Sequence, residues 1–242
     1  MSDRNYKYWE IKILYSIVFG YACYYLVRQN YSIAFSDKSL GLSTNYQYIG
    51  WAFTINSIVY GLGKIINGYL SDRLSSKIFL SLGLFISGLL SLIASFFDNI
   101  IVLSSIFIIN GWFQSMGFPA TAKLIVNWTP KDKIASRWSI ATCSHQIGGV
   151  TIMLAGGYLL EKYGWRYVLA IPGILTIIAS FILFNTIKNS SAEIGVKQME
   201  NNIDENSSSF KSLVYKLFNS RELQLLCLAN MFAYAIRMGI LN

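Results

Sequence analysis

The chain has 242 residues, of which 54% are apolar and only 13% are charged. Soluble globular domains carry about 25% charged residues, so this composition leaves too little polar surface for a water-soluble protein. It also excludes a disordered chain, and a count of 3 Cys and 3 Pro excludes disulfide-rich and collagen-like classes. What is left is an integral membrane protein. Because a spanning helix takes about 20 residues, six or seven spans nearly use up the length.

The net charge of +8 does not indicate nucleic-acid binding, because the basic residues are distributed as in a membrane protein. With the N-terminus inside the cell, fourteen Lys and Arg residues lie in cytoplasmic segments and three lie in outside loops. Cytoplasmic loops of membrane proteins carry such an excess of Lys and Arg. The sequence therefore predicts a multi-pass protein of the inner (cytoplasmic) membrane with a cytoplasmic N-terminus.

Seven apolar segments follow one another along the chain and predict an all-α, polytopic bundle. They cover residues 11–35, 48–70, 78–97, 100–122, 139–160, 167–187 and 222–242. The first segment is long enough to cross the membrane and contains Arg28, which indicates a retained helix and not a cleaved signal peptide. The third and fourth segments nearly touch, so the turn between them must be tight.

The polar stretch at residues 188–220 separates the sixth segment from the seventh. It is rich in Ser and Asn and mixed in charge, which predicts a mobile cytoplasmic linker. Within it, residues 210–218 fit either a short amphipathic helix on the membrane surface or a solvated loop. We therefore divide the chain into a six-helix domain (1–187), this linker, and a seventh helix at 221–242.

Three basic residues, Arg28, Lys64 and Arg237, fall inside predicted spans. A charge at the bilayer centre costs about 2.5–3.5 kcal/mol, so such residues usually face a bundle interior or a water-filled cavity. All 12 Asp and Glu residues lie in loops or at span ends, where they do not neutralise these cations. The pattern predicts a cationic cavity that binds an anion. The alternative is that Lys64 extends to the interface and the arginines bond to helix carbonyls.

The residue types narrow the kind of anion. The planar guanidinium of arginine binds a phosphate or carboxylate through two parallel hydrogen bonds. His145, the single histidine, is either a packed residue bonded to a carbonyl or a phosphate ligand in the same cavity. It has no second ligand at metal spacing, and no hydrolase, Walker or zinc-protease motif occurs. We therefore predict no metal, no cofactor and no catalytic residue.

A short pattern, Y-x-x-R, occurs in both the first and the seventh predicted span, at residues 25–28 and 234–237. The pattern is weak by itself. If the second half of a transporter begins near residue 222, equivalent helices of two repeats would each direct one arginine at a central site.

Several longer motifs resemble the major facilitator superfamily. Residues 68–77, GYLSDRLSSK, are similar to its G-x-x-x-D-R-x-x-x-[RK] loop. Narrower similarities are to its organophosphate:phosphate antiporter family, which includes the glycerol-3-phosphate and hexose-phosphate transporters, and they are closest to the glycerol-3-phosphate branch. They lie at residues 24–28, 60–64, 110–117, 143–149, 164–166, 172–173 and 234–241.

The resemblance implies exchange of an organic phosphate ester for inorganic phosphate by rocking of two six-helix halves. It implies phosphate binding by two arginines and a substrate site formed by Arg28, Lys64, His145, Arg237, Tyr25 and Tyr234. It also implies a gating loop that contains Asp72 and Arg73. The sequence differs from the family at Gln29, where the transporters usually have lysine, and at Ala141, where the glycerol-3-phosphate branch often has an aromatic residue.

The superfamily has twelve spans and this sequence supplies seven, which leaves three interpretations open. The chain is a fragment of a longer antiporter, one piece of a split transporter completed by a second chain, or a remnant that transports nothing. A second function class is a membrane sensor of sugar phosphates, because the same family contains a sensor that signals to a partner protein. A cation- or proton-coupled symporter would require an intramembrane carboxylate, which the sequence lacks.

Overall fold

The computed structural model describes the backbone of residues 3–37, 46–195 and 219–241, and the regular secondary structure of these residues is helical throughout. The helices are α1 (Asp3–Ala34), α2 (Tyr46–Arg73), α3 (Ser76–Ala94), α4 (Ile100–Gln114), α5 (Gly117–Trp128), α6 (Ile134–Tyr163), α7 (Trp165–Thr186) and α8 (Arg221–Leu241). Short 3₁₀ helices lie at Lys131–Lys133 and Ser191–Ile194. The chain divides into two compact units, Met1–Asn201 with α1–α7, and Asn202–Asn242 with α8.

Five helical segments of the described chain are long and apolar enough to cross a membrane. These segments are Asn5–Ala34, Gln47–Arg73, Ser76–Ala94, Ile100–Trp128 and Trp165–Thr186. They match the first four and the sixth of the predicted spans. The fifth and seventh predicted spans coincide with α6 and α8. Helix α6 is 30 residues long and carries the polar pair His145 and Gln146 near its middle.

The fourth predicted span is interrupted at Ser115 and Met116, where α4 ends and α5 begins. Pro119 provides the reason, because it has no N–H group and its ring would clash with the Ser115 carbonyl in a continuous helix. Asn67 of α2 donates a hydrogen bond from Nδ2 to Ser115 Oγ at 2.6 Å. The interruption is therefore bonded to the neighbouring helix.

Two apolar clusters fill the first unit, one toward each end of its helices. The first contains Tyr24 and Trp128, which are 2% and 1% exposed. The second contains Tyr31 and Phe107, whose ring centroids lie 4.9 Å apart. Inside a membrane such side chains stabilise the packed helices through van der Waals contacts, because lipid tails are as apolar as the side chains themselves.

Buried polar side chains connect four helices between the two apolar clusters. Asn30 Nδ2 of α1 donates to Ser91 Oγ of α3 at 2.8 Å, and Ser91 Oγ donates to the Leu169 carbonyl of α7 at 2.9 Å. Asn110 Nδ2 of α4 donates to the Val27 carbonyl of α1 at 3.2 Å. In an apolar interior such hydrogen bonds fix the relative positions of the helices that they join.

Helices α3 and α7 cross with their backbones in contact. A Cβ atom at Gly88 would lie 2.9 Å from the Gly173 carbonyl oxygen, and a Cβ atom at Gly173 would lie 2.9 Å from the Gly88 carbonyl oxygen. Small residues at such crossings allow close helix packing inside membranes. The absence of side chains at both positions therefore sets the distance between these two helices.

Residues 188–195 pack against the first unit. Asn189 Oδ1 accepts hydrogen bonds from Ser75 Oγ and from the Lys77 backbone N–H, both at 2.9 Å. These contacts bind the chain after α7 to the start of α3. Ile194 is 8% exposed and belongs to the first apolar cluster.

The rest of the predicted linker, residues 196–218, lies outside the described residues, as does the segment at 210–218 for which an amphipathic helix or a loop is predicted. Helix α8 begins after Ser220, whose Oγ accepts a hydrogen bond from the Leu223 backbone N–H at 3.4 Å. The domain boundaries proposed from the sequence stay predictions.

The α3–α7 crossing gives a test of packing. Gly88→Ala would place a methyl group against the Gly173 carbonyl and force the helices apart, at a cost of about 1–3 kcal/mol. Gly50→Ala in α2 is the control, because a Cβ atom there meets nothing within 4 Å and alanine favours a helix by about 1 kcal/mol over glycine. We expect a lower thermal unfolding midpoint in detergent for Gly88→Ala and an equal or higher one for Gly50→Ala. Equal midpoints for the two variants would contradict this account.

Candidate functional site

Arg28 lies in the C-terminal third of α1, six residues before the helix ends, and is half-buried against α2. Its Nη1 donates a hydrogen bond to Tyr60 Oη at 3.0 Å, and its Cζ lies 4.2 Å from the centroid of the Tyr60 ring. The same Cζ lies 5.4 Å from the centroid of the Tyr25 ring. The faces of aromatic rings attract cations, so the two tyrosines stabilise the guanidinium group inside the bundle.

Lys64 lies one turn after Tyr60 on α2. Its Nζ is 4.7 Å from the centroid of the Tyr60 ring and 4.9 Å from the centroid of the Phe118 ring of α5. Residues four apart share a helix face, so α2 presents Tyr60 and Lys64 together. The Tyr60 ring therefore contacts both cations and connects Lys64 to Arg28.

No carboxylate pairs with Arg28 or Lys64 in the part of the chain that the structure describes. The ion pairs there join Glu10 to Arg137, at 2.9 Å between Oε1 and Nη2, and Asp98 to Arg166. Two cations beside one ring in an apolar bundle create a strong positive potential, because charge interactions are screened less inside a protein than in water. This electrostatic field favours an anion.

His145 of α6 lies on the other side of Tyr25. The centroids of the two rings are 5.2 Å apart, and His145 is half-buried. Gly148 explains this proximity, because a Cβ atom there would lie 2.9 Å from Tyr25 Cβ. The glycine lets α6 approach α1 closely, which carries His145 to the tyrosine that Arg28 contacts.

The structure thus brings together four of the six predicted site residues, Tyr25, Arg28, Lys64 and His145. We call these residues and Tyr60 the cation cluster. Sequence reasoning included Tyr60 in a motif but gave it no role. Its position four residues before Lys64 on the same helix face is the signal that could have identified it.

The predicted gating residues lie apart from the cation cluster. Asp72 and Arg73 are exposed at the end of α2, eight and nine residues beyond Lys64, about 12 Å along the helix. Lys123 Nζ of α5 donates to the carbonyl oxygens at this end, those of Ser71, Asp72 and Leu74, at 2.8, 2.8 and 3.1 Å. A cation here satisfies carbonyl groups that lack partners within the helix.

The other two predicted site residues, Tyr234 and Arg237, fall within α8 in the second unit. Their side chains lie outside the described residues. A site that combines Arg28 with Arg237 therefore stays a prediction.

Curated relatives of this chain are phosphate-ester transporters and a membrane sensor. It is 28% identical to the "Probable hexose phosphate transport protein" of Chlamydia pneumoniae, over 98% of this chain and 56% of the relative. It is 29% identical to the "Hexose-6-phosphate:phosphate antiporter" of Escherichia coli K12, over 93% and 53%. It is 26% identical to the "Membrane sensor protein UhpC" of the same strain, over 80% and 44%. The chain spans about half the length of the curated relatives that it matches.

A crystal structure of a bacterial homolog of the human lysosomal transporter Spinster matches with a TM-score of 0.57 and 16% identity, over 78% of this chain and 44% of that one. This likeness shows the fold. The family described as Major Facilitator Superfamily matches residues 17–241, nearly the whole chain. The chain therefore belongs to the Major Facilitator Superfamily, an all-α family of membrane transporters and not of enzymes, and it carries the six helices of the N-terminal half and a seventh helix.

Proposed function

We propose that this chain takes part in the exchange of an organic phosphate ester, glycerol-3-phosphate or a hexose phosphate, for inorganic phosphate. The observation that carries the proposal is the contact of Arg28 and Lys64 with one ring, that of Tyr60, without a paired carboxylate among the described residues. A phosphate group carries a charge of about −1.5 to −2 at neutral pH, which two or three cations can neutralise. The names of the hexose-phosphate relatives support the same substrate class.

Arg28 is the principal phosphate ligand in this proposal. One N–H group bonds to Tyr60, which holds the guanidinium plane in one orientation. The forked donors of arginine can then form two parallel hydrogen bonds with phosphate oxygens. Lys64, a compact charge on a flexible side chain, adds attraction without that directional geometry.

His145 and Tyr25 supply hydrogen-bond donors on the α1–α6 side of the cluster. Their rings lie 5.2 Å apart, so one phosphate ester can reach both. A histidine ring nitrogen can hydrogen-bond a phosphate oxygen.

The second half of the proposed site comes from Arg237 and Tyr234, through the Y-x-x-R pattern that α8 shares with α1. Alternating access moves one repeat against the other around a central site. Exchange therefore takes place in an assembly with a C-terminal half, supplied by a longer product or by a second chain. In the inner membrane, the excess of Lys and Arg orients the N-terminus and the loop with Asp72 and Arg73 toward the cytoplasm.

A sensor of sugar phosphates is the second candidate, and the similarity to a membrane sensor protein favours it. The cation cluster would bind the same ligands in both cases. The first step is to read the coding sequence beyond the codon for Asn242. That sequence shows whether the two halves of the assembly are encoded as one polypeptide or as two. Counterflow of labelled phosphate is then measured in vesicles with that assembly. Acceleration by glycerol-3-phosphate or glucose-6-phosphate on the opposite side supports antiport, whereas binding without flux supports a sensor and contradicts antiport.

Arg28→Lys tests the forked hydrogen bonds. The charge stays and the two parallel bonds are lost, so phosphate exchange should fall by roughly 10- to 100-fold, since a hydrogen bond to a charged group contributes about 1.5–3 kcal/mol. Arg166→Lys is the matched control, because Arg166 is exposed and pairs with Asp98 outside the cluster. Unchanged exchange in Arg28→Lys would overturn the role of Arg28.

Tyr60→Phe separates the hydrogen bond from the ring. The ring contact with both cations stays, but Arg28 loses its acceptor, so we expect phosphate affinity to fall about fivefold, within the range for one net hydrogen bond. Tyr158→Phe is the control, because it removes only an exposed acceptor, for Lys162 Nζ at 3.0 Å on α6. Full affinity in Tyr60→Phe would mean that Tyr60 does not orient Arg28.

A further inference from the structure

A groove on the outer side of the first unit lies away from the cation cluster. It runs between α3 and α7, has a volume of about 260 Å³, and is lined mainly by Ile78, Leu82, Phe85, Phe181 and Phe184. Its lining residues lie between the glycine crossing of these helices and the start of α3. The crossing closes one end of the groove.

The two helices that form the groove are the most apolar of the five membrane-capable segments. Their charged residues, Lys77 and Arg166, stand at helix ends. Leu82 is 45% exposed and Phe181 is 57% exposed. Apolar side chains with this exposure on a membrane helix face lipid acyl chains, so an acyl chain is the natural occupant of the groove.

A cation stands at the open end. Lys77 Nζ lies 4.4 Å from the centroid of the Phe184 ring, which lines the groove. The Lys77 backbone N–H is bonded to Asn189 Oδ1 at 2.9 Å, so this part of α3 is held in place. Lys77 pairs with no carboxylate among the described residues. The ammonium group is therefore available to an anion beside the groove.

A buried hydroxyl lies between the cation and the apolar lining. Ser81 lines the groove and is 5% exposed, and its Oγ has no hydrogen-bond partner in the described part of the chain. Ser81 follows Lys77 by four residues, so both share one face of α3, about 6 Å apart along the axis. A buried hydroxyl without a partner is costly, so a ligand oxygen at this point would be stabilising.

We propose that this groove binds an anionic phospholipid of the membrane, with its phosphate at Lys77, an ester oxygen at Ser81 and an acyl chain along Leu82 and Phe85. The order of cation, hydroxyl and apolar lining along α3 matches the order of phosphate, ester and acyl chain in a phospholipid. Basic residues at a membrane surface attract anionic lipids. The proposal does not depend on the phosphate-ester site.

Native mass spectrometry of the purified full chain in detergent tests whether the groove binds an anionic phospholipid. The probes are palmitoyl-oleoyl phosphatidylglycerol and the phosphatidylcholine with the same acyl chains. We expect a one-to-one adduct at lower concentration with phosphatidylglycerol. Lys77→Gln should weaken phosphatidylglycerol binding about fivefold, the size expected of one lysine beside an anionic lipid, and weaken phosphatidylcholine binding by a smaller factor, because the choline cation offsets the attraction of that lipid's phosphate for Lys77. Lys162→Gln is the control, because Lys162 also lies over aromatic rings, at 5.4 and 5.8 Å, but far from the groove.

Leu82→Trp tests the acyl-chain part, because its larger side chain would fill the groove and lower binding of both lipids at least tenfold. Leu175→Trp is the control, because Leu175 on α7 is 52% exposed and does not line the groove. This variant should bind both lipids as tightly as the unaltered chain does. Equal binding of the two lipids, or equal losses in Lys77→Gln and Lys162→Gln, would overturn the proposal. Unchanged binding in Leu82→Trp would also overturn it, and circular dichroism of each variant verifies its helical content.

Discussion

The arrangement of the first unit depends on two cations held inside an apolar bundle without a paired carboxylate among the described residues. A charge in such a place costs several kcal/mol unless polar or aromatic groups surround it. Tyr60 meets this requirement for Arg28 and Lys64 at once, through one hydrogen bond and two ring contacts. The cations that a phosphate would neutralise are thus kept in place before any anion binds, which lowers the cost of ordering the site.

Glycines decide where the helices come close enough to share these contacts. Gly148 allows α6 to approach α1, so that His145 lies beside Tyr25. Gly88 and Gly173 do the same for α3 and α7, the two helices that form the groove. Close helix approach at glycine therefore shapes two surfaces. One is the polar interior lined by α1, α2 and α6, and the other is the apolar exterior that contains the groove.

Hydrogen bonds from side chains also fix the ends of α2 and α3. Lys123 bonds to the last carbonyl groups of α2, and Asn189 bonds to the first turn of α3. The end of α2, which contains Asp72 and Arg73, is thus connected to α5, and the start of α3 is connected to the chain after α7. These contacts give the predicted gating loop a defined conformation within the first unit.

The sequence by itself determined the membrane class, the helical spans and the cations at Arg28 and Lys64, because hydropathy and the cost of intramembrane charge act along the chain. The four-residue spacing of Tyr60 and Lys64 could also have shown that they share one helix face, although the sequence analysis gave Tyr60 no role. Only the tertiary structure showed that Tyr60 joins Lys64 to Arg28, that His145 reaches Tyr25, and that Pro119 separates α4 from α5. Contacts between helices depend on crossing geometry and on side-chain direction, and the one-dimensional pattern of a single sequence does not contain either.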